Sequence, residues 1–191
     1  MLYYFCGHRG CGKNYLANQI TEKLNINTID TGPIIRKAYK KFNTENIGLG
    51  EWIKKNEIKY GKNFSNMLIC KLVKIENEKD YIIIGYRSIE GIQYFNDNFK
   101  VKEYGIFFID GDYDLFRENY NKREKTNISD DEYREIIEIE KKMGLDKLKE
   151  FVLNNNALGT YYYKKENDNE IYDDVLRKIK DRKRNKKEIE Y

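Results

Sequence analysis

Leu2-Tyr3-Tyr4-Phe5-Cys6-Gly7-His8-Arg9-Gly10-Cys11-Gly12-Lys13-Asn14-Tyr15-Leu16 decides the reading of this chain. The apolar run through Cys6 predicts a buried strand, and Tyr15, Leu16, Ile20 and Leu24 recur with the spacing of a helix face. Between the two lies Gly7-x-x-x-x-Gly12-Lys13. Strand, glycine loop, then helix is the setting of a phosphate-binding loop. Its backbone N–H groups form a concave nest, and the helix N-terminus adds partial positive charge. Side chains in place of the glycines would hold the backbone away from the phosphates, while Lys13 reaches the terminal ones as a point charge. Gly7, His8, Arg9, Gly10, Cys11, Gly12, Lys13 and Asn14 are therefore the candidate nucleotide contacts. Asn14 stands where the pattern ordinarily places a Ser or Thr hydroxyl that meets Mg²⁺.

A chain of 191 residues fits one domain over 1–191 with a sizeable core. Thirty-six Lys and Arg against 32 Asp and Glu give a formal charge of +4, too mild to imply nucleic acid. Much of that surplus sits in a basic tail, 177–191, which reads as a solvated helix end in preference to a nucleic-acid patch. Cys6, Cys11 and Cys70 show neither zinc-site spacing nor a disulfide framework, and free thiols point to a reducing compartment. No signal peptide, lipidation motif or long apolar segment is evident, so the expectation is a soluble, cytoplasmic protein without membrane contact.

Further along, Thr28–Ile29, Tyr81–Gly85, Tyr104–Asp110 and Thr160–Tyr163 are strand-like runs. Helical patterns separate them, among them Phe64-Leu68-Leu72-Ile75 and Ile89-Ile92-Phe95. Nearly continuous apolar strands alternating with helices imply a parallel sheet covered on both faces, an α/β three-layer sandwich of five strands. Ile82-Ile83-Ile84 and Ile106-Phe107-Phe108-Ile109 read as its central strands. About 31–79 shows helices and no strand, as a small helical insertion would. A second excursion, about 112–155, carries a basic segment at 112–130 and a helix over Asp130–Met143. Ligands sit at the carboxyl ends of strands in such sheets, which would gather Gly7–Asn14, Asp30–Arg36, Gly85–Ser88 and Asp110–Asp114 around one crevice.

Three constellations outside the loop bear on chemistry. Asp30 ends the second strand-like run, where a carboxylate orients an acceptor hydroxyl or holds Mg²⁺, or else caps the following helix. Arg36, one turn later, suits a bidentate grip on a phosphate, or a surface ion pair. Arg87 follows the most apolar strand, where a cation facing the crevice binds phosphate or serves a structural ion pair; Ser88 reads as a helix N-cap. Arg117, Lys122, Arg123 and Lys125 form a basic stretch that either closes over donor phosphates or is a solvated helix face. Arg123, at the helix end, is the foremost lid arginine, and Arg117 the accompanying donor-side contact.

With these residues in view, the chain resembles the P-loop small-molecule kinases, in particular nucleoside monophosphate kinases and dephospho-coenzyme A kinase. Thr31-Gly32-x-x-x-Arg36 is similar to the acceptor-binding Thr-Gly-x-x-x-Arg of adenylate-kinase-like enzymes, with Pro33 replacing their Asp. Ile29-Asp30-x-x-x-Ile34 resembles the dephospho-coenzyme A kinase segment whose Asp serves the acceptor hydroxyl. Gly85-x-Arg87, continuing through Ser88-Ile89-x-x-Ile92-x-Tyr94-Phe95, resembles an uncharacterised adenylate-kinase-like family, where an Asp replaces Ile84. The resemblance implies ATP as donor and Mg²⁺ as cofactor, with nucleotides as partners. It implies Lys13, Asp30 and Arg123 as catalytic, Thr31, Arg36 and Arg87 as acceptor-binding, and Asn14 and Asp30 at the metal, Asp110 or Asp112 being substitutes. The expected reaction is phosphoryl transfer to a nucleoside or deoxynucleoside monophosphate. A dephospho-coenzyme A kinase-like hydroxyl kinase and a nucleotide-binding protein without turnover are the alternatives, and the oligomeric state is left open.

Overall fold

The computed structural model describes residues 1–76, 78–155 and 159–189, with the side chains of all but 165 and 185–189. Residues 190 and 191 and the side chains of 185–189, parts of the expected basic tail, lie outside the described residues. In chain order come β1 (Leu2–Gly7), α1 (Lys13–Leu24), β2 (Asn27–Asp30), α2 (Thr31–Phe42), α3 (Leu49–Tyr60), α4 (Phe64–Leu72) and β3 (Tyr81–Ile84). Then follow α5 (Ile89–Asn98), β4 (Tyr104–Gly111), α6 (Tyr113–Glu124), α7 (Asp130–Lys142), α8 (Leu145–Asn154), β5 (Gly159–Tyr163) and α9 (Asp168–Ile189).

All five strands are parallel, in the order β2-β3-β1-β4-β5. The innermost strand is β1, with Ile82–Ile84 and Ile106–Ile109 on its two sides. Alternation along each strand splits the core into two layers. Tyr3, Phe5, Ile82, Ile84, Phe107 and Ile109 face α1 and α9, through Leu16, Ala17, Ile20, Val175 and Ile179. Tyr4, Cys6, Ile83, Ile106 and Phe108 face the other way, onto Ile69, Ile92, Phe95, Leu145 and Leu148. The three-layer α/β sandwich expected from the alternating pattern is what forms. The helical insertion is also present: α2, α3 and α4 enclose their own small core of Ala38, Trp52, Phe64 and Leu68. The apolar pattern through Ile75 overran its helix, because α4 ends at Leu72 and the chain turns extended at Val73.

Strand register brings the expected segments together. Phe5 lies opposite Ile84, Gly7 opposite Ile109, and Asp30 opposite Ile84, so β1, β2, β3 and β4 deliver their following loops to one end of the sheet. Among the described residues no helix is long and apolar enough to cross a membrane.

Candidate functional site

The loop between β1 and α1 turns on residues with positive φ. Gly10 has φ +85°, and a Cβ there would overlap the backbone carbonyl of Phe116, so only glycine fits. The helix starts after Gly12 without a side-chain cap, leaving its first N–H groups for a ligand. Lys13 is buried and donates from Nζ to the His8 carbonyl oxygen at 2.8 Å, folding its charge back over the loop. Its Nζ also lies 3.9 Å from the Cys11 sulfur, whose thiol burial pushes up in pKa against the pull of Lys13.

Asp30 serves two neighbours at once. Its Oδ1 accepts the Gly32 N–H at 3.0 Å, the helix cap of α2, and its Oδ2 accepts Asn14 Nδ2 at 2.9 Å. The side chain at the unusual loop position thus meets the carboxylate expected to share its task. No group of three His, Cys, Asp or Glu side chains able to hold a metal occurs among the described residues. Magnesium carried on nucleotide phosphates takes only one or two protein oxygens, keeping waters and phosphates for the rest. Asp30 beside the Asn14 amide fits that mode.

Thr31 is buried, and the site explains why: a Cβ on Gly85, at φ +105°, would overlap its Oγ1. The two segments pack backbone to side chain where β2 and β3 end side by side. Arg36 is exposed one turn into α2, its guanidinium folded back toward Gly32, with no ion pair among the described residues. Arg87 is held firmly, donating from Nε to Glu140 Oε1 at 2.9 Å and from Nη1 to the Gly85 carbonyl at 3.2 Å. Ser88 accepts the Gly91 N–H at 3.1 Å and caps α5, as read from the sequence.

The basic stretch divides. Arg117 bridges Asp114 and Asp130 at 3.3 and 3.0 Å, whereas Arg123 pairs with its neighbour Glu124 and stacks 5.6 Å from the Tyr120 ring. Lys122 and Lys125 are exposed. Helix α6 nonetheless touches the loop, since Asn119 Nδ2 donates to the Gly10 carbonyl at 3.1 Å. Asp110 pairs with Lys149 at 2.5 Å and Asp112 caps α6, so both substitute carboxylates already have partners.

No family model matches this chain. Adenylate kinase of Encephalitozoon cuniculi is 31% identical over 127 residues, covering 66% of this chain and 68% of that protein. This chain belongs to the adenylate kinase family. Adenylate kinases of Rickettsia africae, 28% identical over 109 residues, and Buchnera aphidicola, 38% identical over 80, also match. The matches reach 56% and 42% of this chain and 51% and 35% of the relatives, so it spans about half their length or less. Among solved structures, shikimate kinase from Aquifex aeolicus superposes with a TM-score of 0.51 at 19% identity, covering 94% of this chain and 96% of that one. An uncharacterized protein from Eubacterium ventriosum gives 0.52 at 14% identity, over 94% and 98%. These two likenesses concern the fold, that of the P-loop kinases.

In this adenylate kinase family member, three site residues escaped the sequence reading: Asn119 on α6, and Tyr133 and Glu140 on α7. Tyr133 is fully buried and donates its hydroxyl to the Arg9 carbonyl at 2.5 Å. Glu140 is fully buried as well; its Oε2 accepts the Arg9 backbone N–H and contacts His8 Nδ1, both at 3.1 Å. Burial works to raise the Glu140 pKa, but the His8 hydrogen bond and the charges of Arg87 and Lys13 outweigh it and hold the carboxyl at about 2. A signal was available: Tyr133, Ile136, Ile137 and Glu140 follow the i, i+3, i+4, i+7 spacing of a buried stripe, and Glu140 is the charged member.

Proposed function

We propose that this protein transfers a phosphoryl group from ATP to a small phosphorylated acceptor, a nucleoside or deoxynucleoside monophosphate. The observation that carries this reading is the placement of a Gly-x-x-x-x-Gly-Lys loop and Arg87 at the ends of adjacent strands β1 and β3. A donor phosphate chain and an acceptor phosphate each meet a cation there. Gly7 through Asn14 cradle the donor, with Lys13 on its terminal phosphates, while Arg87 and Arg36 grip the acceptor beside Thr31. Arg123 closes from α6, with Arg117 next to it, and neutralises charge as the phosphoryl group moves. Asp30 and the Asn14 amide oxygen would hold Mg²⁺, which would neutralise charge on the donor phosphates. An acceptor that brings its own ionised phosphate oxygen needs no strong base, so the engagement of both Asp30 oxygens is no obstacle.

A second reading has two specific supports. Asn14 replaces the usual hydroxyl and Ile84 the Asp of the resembling family, as in a nucleotide-binding sensor or scaffold without turnover. Purified protein incubated with Mg²⁺-ATP and a panel of ribo- and deoxynucleoside monophosphates, dephospho-coenzyme A and oligonucleotides separates the two. A nucleoside diphosphate product is expected. ATP binding with no product from any acceptor leaves the second reading, and absence of both binding and product overturns both.

A further inference from the structure

Glu140 is a charge that α7 has no local reason to bury. The face formed by Tyr133, Ile136, Ile137 and Glu140 packs inward, where a charge is costly to bury unless it is paired. The carboxylate is shared between the phosphate loop and Arg87. Its Oε2 engages the phosphate loop, at the Arg9 N–H and His8 Nδ1, while its Oε1 accepts Arg87 Nε at 2.9 Å with Arg9 Nε 3.4 Å away. The Gly85 carbonyl takes Nη1 of the same guanidinium. Arg87 is therefore held at two of its nitrogens, Nε by Glu140 and Nη1 by the Gly85 carbonyl, and Nη2 still has N–H groups to give.

We propose that Glu140 is a positioning residue for the acceptor site, fixing the Arg87 guanidinium at a set place relative to the phosphate loop so that acceptor and donor phosphates meet in line. The inference rests on the kinase reading above. An arginine already immobilised loses little side-chain freedom on gripping phosphate, and its placement against the loop aligns the reacting oxygens. A carboxylate is the side chain that can do this, because its two oxygens take a guanidinium and a loop amide together. Tyr133, seven residues earlier, keeps α7 seated by its bond to the Arg9 carbonyl.

The test is a double-mutant cycle of Glu140→Gln with Arg87→Ala, and a second cycle with Arg9→Ala as control. Acceptor and ATP KM and kcat are read by coupled assay, and monophosphate and ATP affinity by calorimetry. Glu140→Gln is expected to raise acceptor KM roughly tenfold with a much smaller change for ATP, and Arg87→Ala to add little further. Independent effects of the two substitutions, or coupling to Arg9 alone, would overturn the proposal. So would a lower Tm with acceptor affinity unchanged. If Glu140→Gln does not fold, Glu140→Asp keeps the charge on a shorter arm; weakened acceptor affinity is expected, and full affinity would overturn the idea. The ¹⁵N resonance of Arg87 Nε should show slow hydrogen exchange that Glu140→Gln abolishes, a readout independent of turnover. A wild type that pins Arg87 and binds a monophosphate but makes no product removes the kinase reading and leaves the positioning intact. A freely exchanging Nε in an active wild type does the reverse.

Discussion

The phosphate loop and the α2–α4 segment both leave the carboxyl end of the sheet, yet they are held by different means. Around the loop, support comes from far along the chain: Asn119 on the Gly10 carbonyl, Tyr133 on the Arg9 carbonyl, Glu140 on the Arg9 amide. Each of these partners is buried or half-buried and each addresses a backbone group. The α2–α4 segment packs chiefly on itself, around Trp52, and leaves Arg36, Phe42, Ile58 and Tyr60 exposed. One side of the crevice is a backbone cradle fixed by three residues of two other helices, α6 and α7; the other is a small helical unit whose Arg36 lies at the surface. A site built this way would hold its donor in a preset shape and accommodate its acceptor by modest adjustment of the helices.

The largest effect should fall on the cradle. Lys13→Met keeps the length and apolar stem of the side chain and removes the charge proposed to meet the donor phosphates. Turnover is expected to fall by at least about 100-fold, the scale of losing one preorganised electrostatic contact. Because the lysine's hydrogen-bond partners in the fold are one carbonyl and, at 3.9 Å, the Cys11 sulfur, thermal melting should shift less than turnover. A variant keeping most of its turnover would place the donor elsewhere.

Gly10→Ala tests whether the cradle is as tightly enclosed as it looks. A Cβ there would overlap the Phe116 carbonyl, and the backbone sits at φ +85°. The expected loss is roughly 2–4 kcal/mol in urea unfolding, at the severe end for a single methyl group. A loss below ~1 kcal/mol would show that α6 yields easily and that the contrast with the helical unit is overdrawn.

Much of this was legible in the sequence because it rests on local chemistry. The Gly7–Asn14 spacing, the apolar strands and the Asp30 and Ser88 caps are written within a few neighbouring residues, and each formed where the pattern put it. What escaped depended on partners far away in the chain. Arg87 was read as facing the crevice, with a phosphate or an ion-pair partner left open, and only the packing of α7 supplies Glu140. The stripe through Tyr133 and Glu140 has helical spacing, but an acidic helix with one buried carboxylate looks like any solvated one until its face is seen. The innermost place of β1 escaped for the same reason, since strand order is decided by crossovers and hydrophobicity ranks Ile82–Ile84 above a run containing two tyrosines.

On the proposed acceptor side, Arg36→Ala should act on affinity with little effect on stability. The side chain is exposed and makes no ion pair among the described residues, so its loss leaves no buried charge behind. A charge-assisted contact to phosphate is worth about 1.5–3 kcal/mol, so the acceptor KM should rise by roughly tenfold or more with ATP affinity held. Loss of ATP affinity in place of acceptor affinity would exchange the two sides of the crevice.

The smallest expected effect is the sharpest check on the contrast itself. Gly50 lies in the first turns of α3, and a Cβ there would meet nothing within 4 Å. Its backbone is helical, so alanine adopts it without strain while restricting the unfolded chain. Gly50→Ala should therefore stabilise by about 0.4–1 kcal/mol, the opposite sign to Gly10→Ala for the same added methyl. Urea unfolding followed by the fluorescence of Trp52, the single tryptophan of the chain, reports directly on the helical unit that carries the change. A shift seen by Trp52 and absent from the far-UV signal of the whole chain would mean that α2–α4 opens by itself. An equal shift in both would tie the helical unit to the sheet as one cooperative body. A destabilising Gly50→Ala would show that α3 is enclosed as the loop is, and the two sides of the crevice would no longer differ in kind.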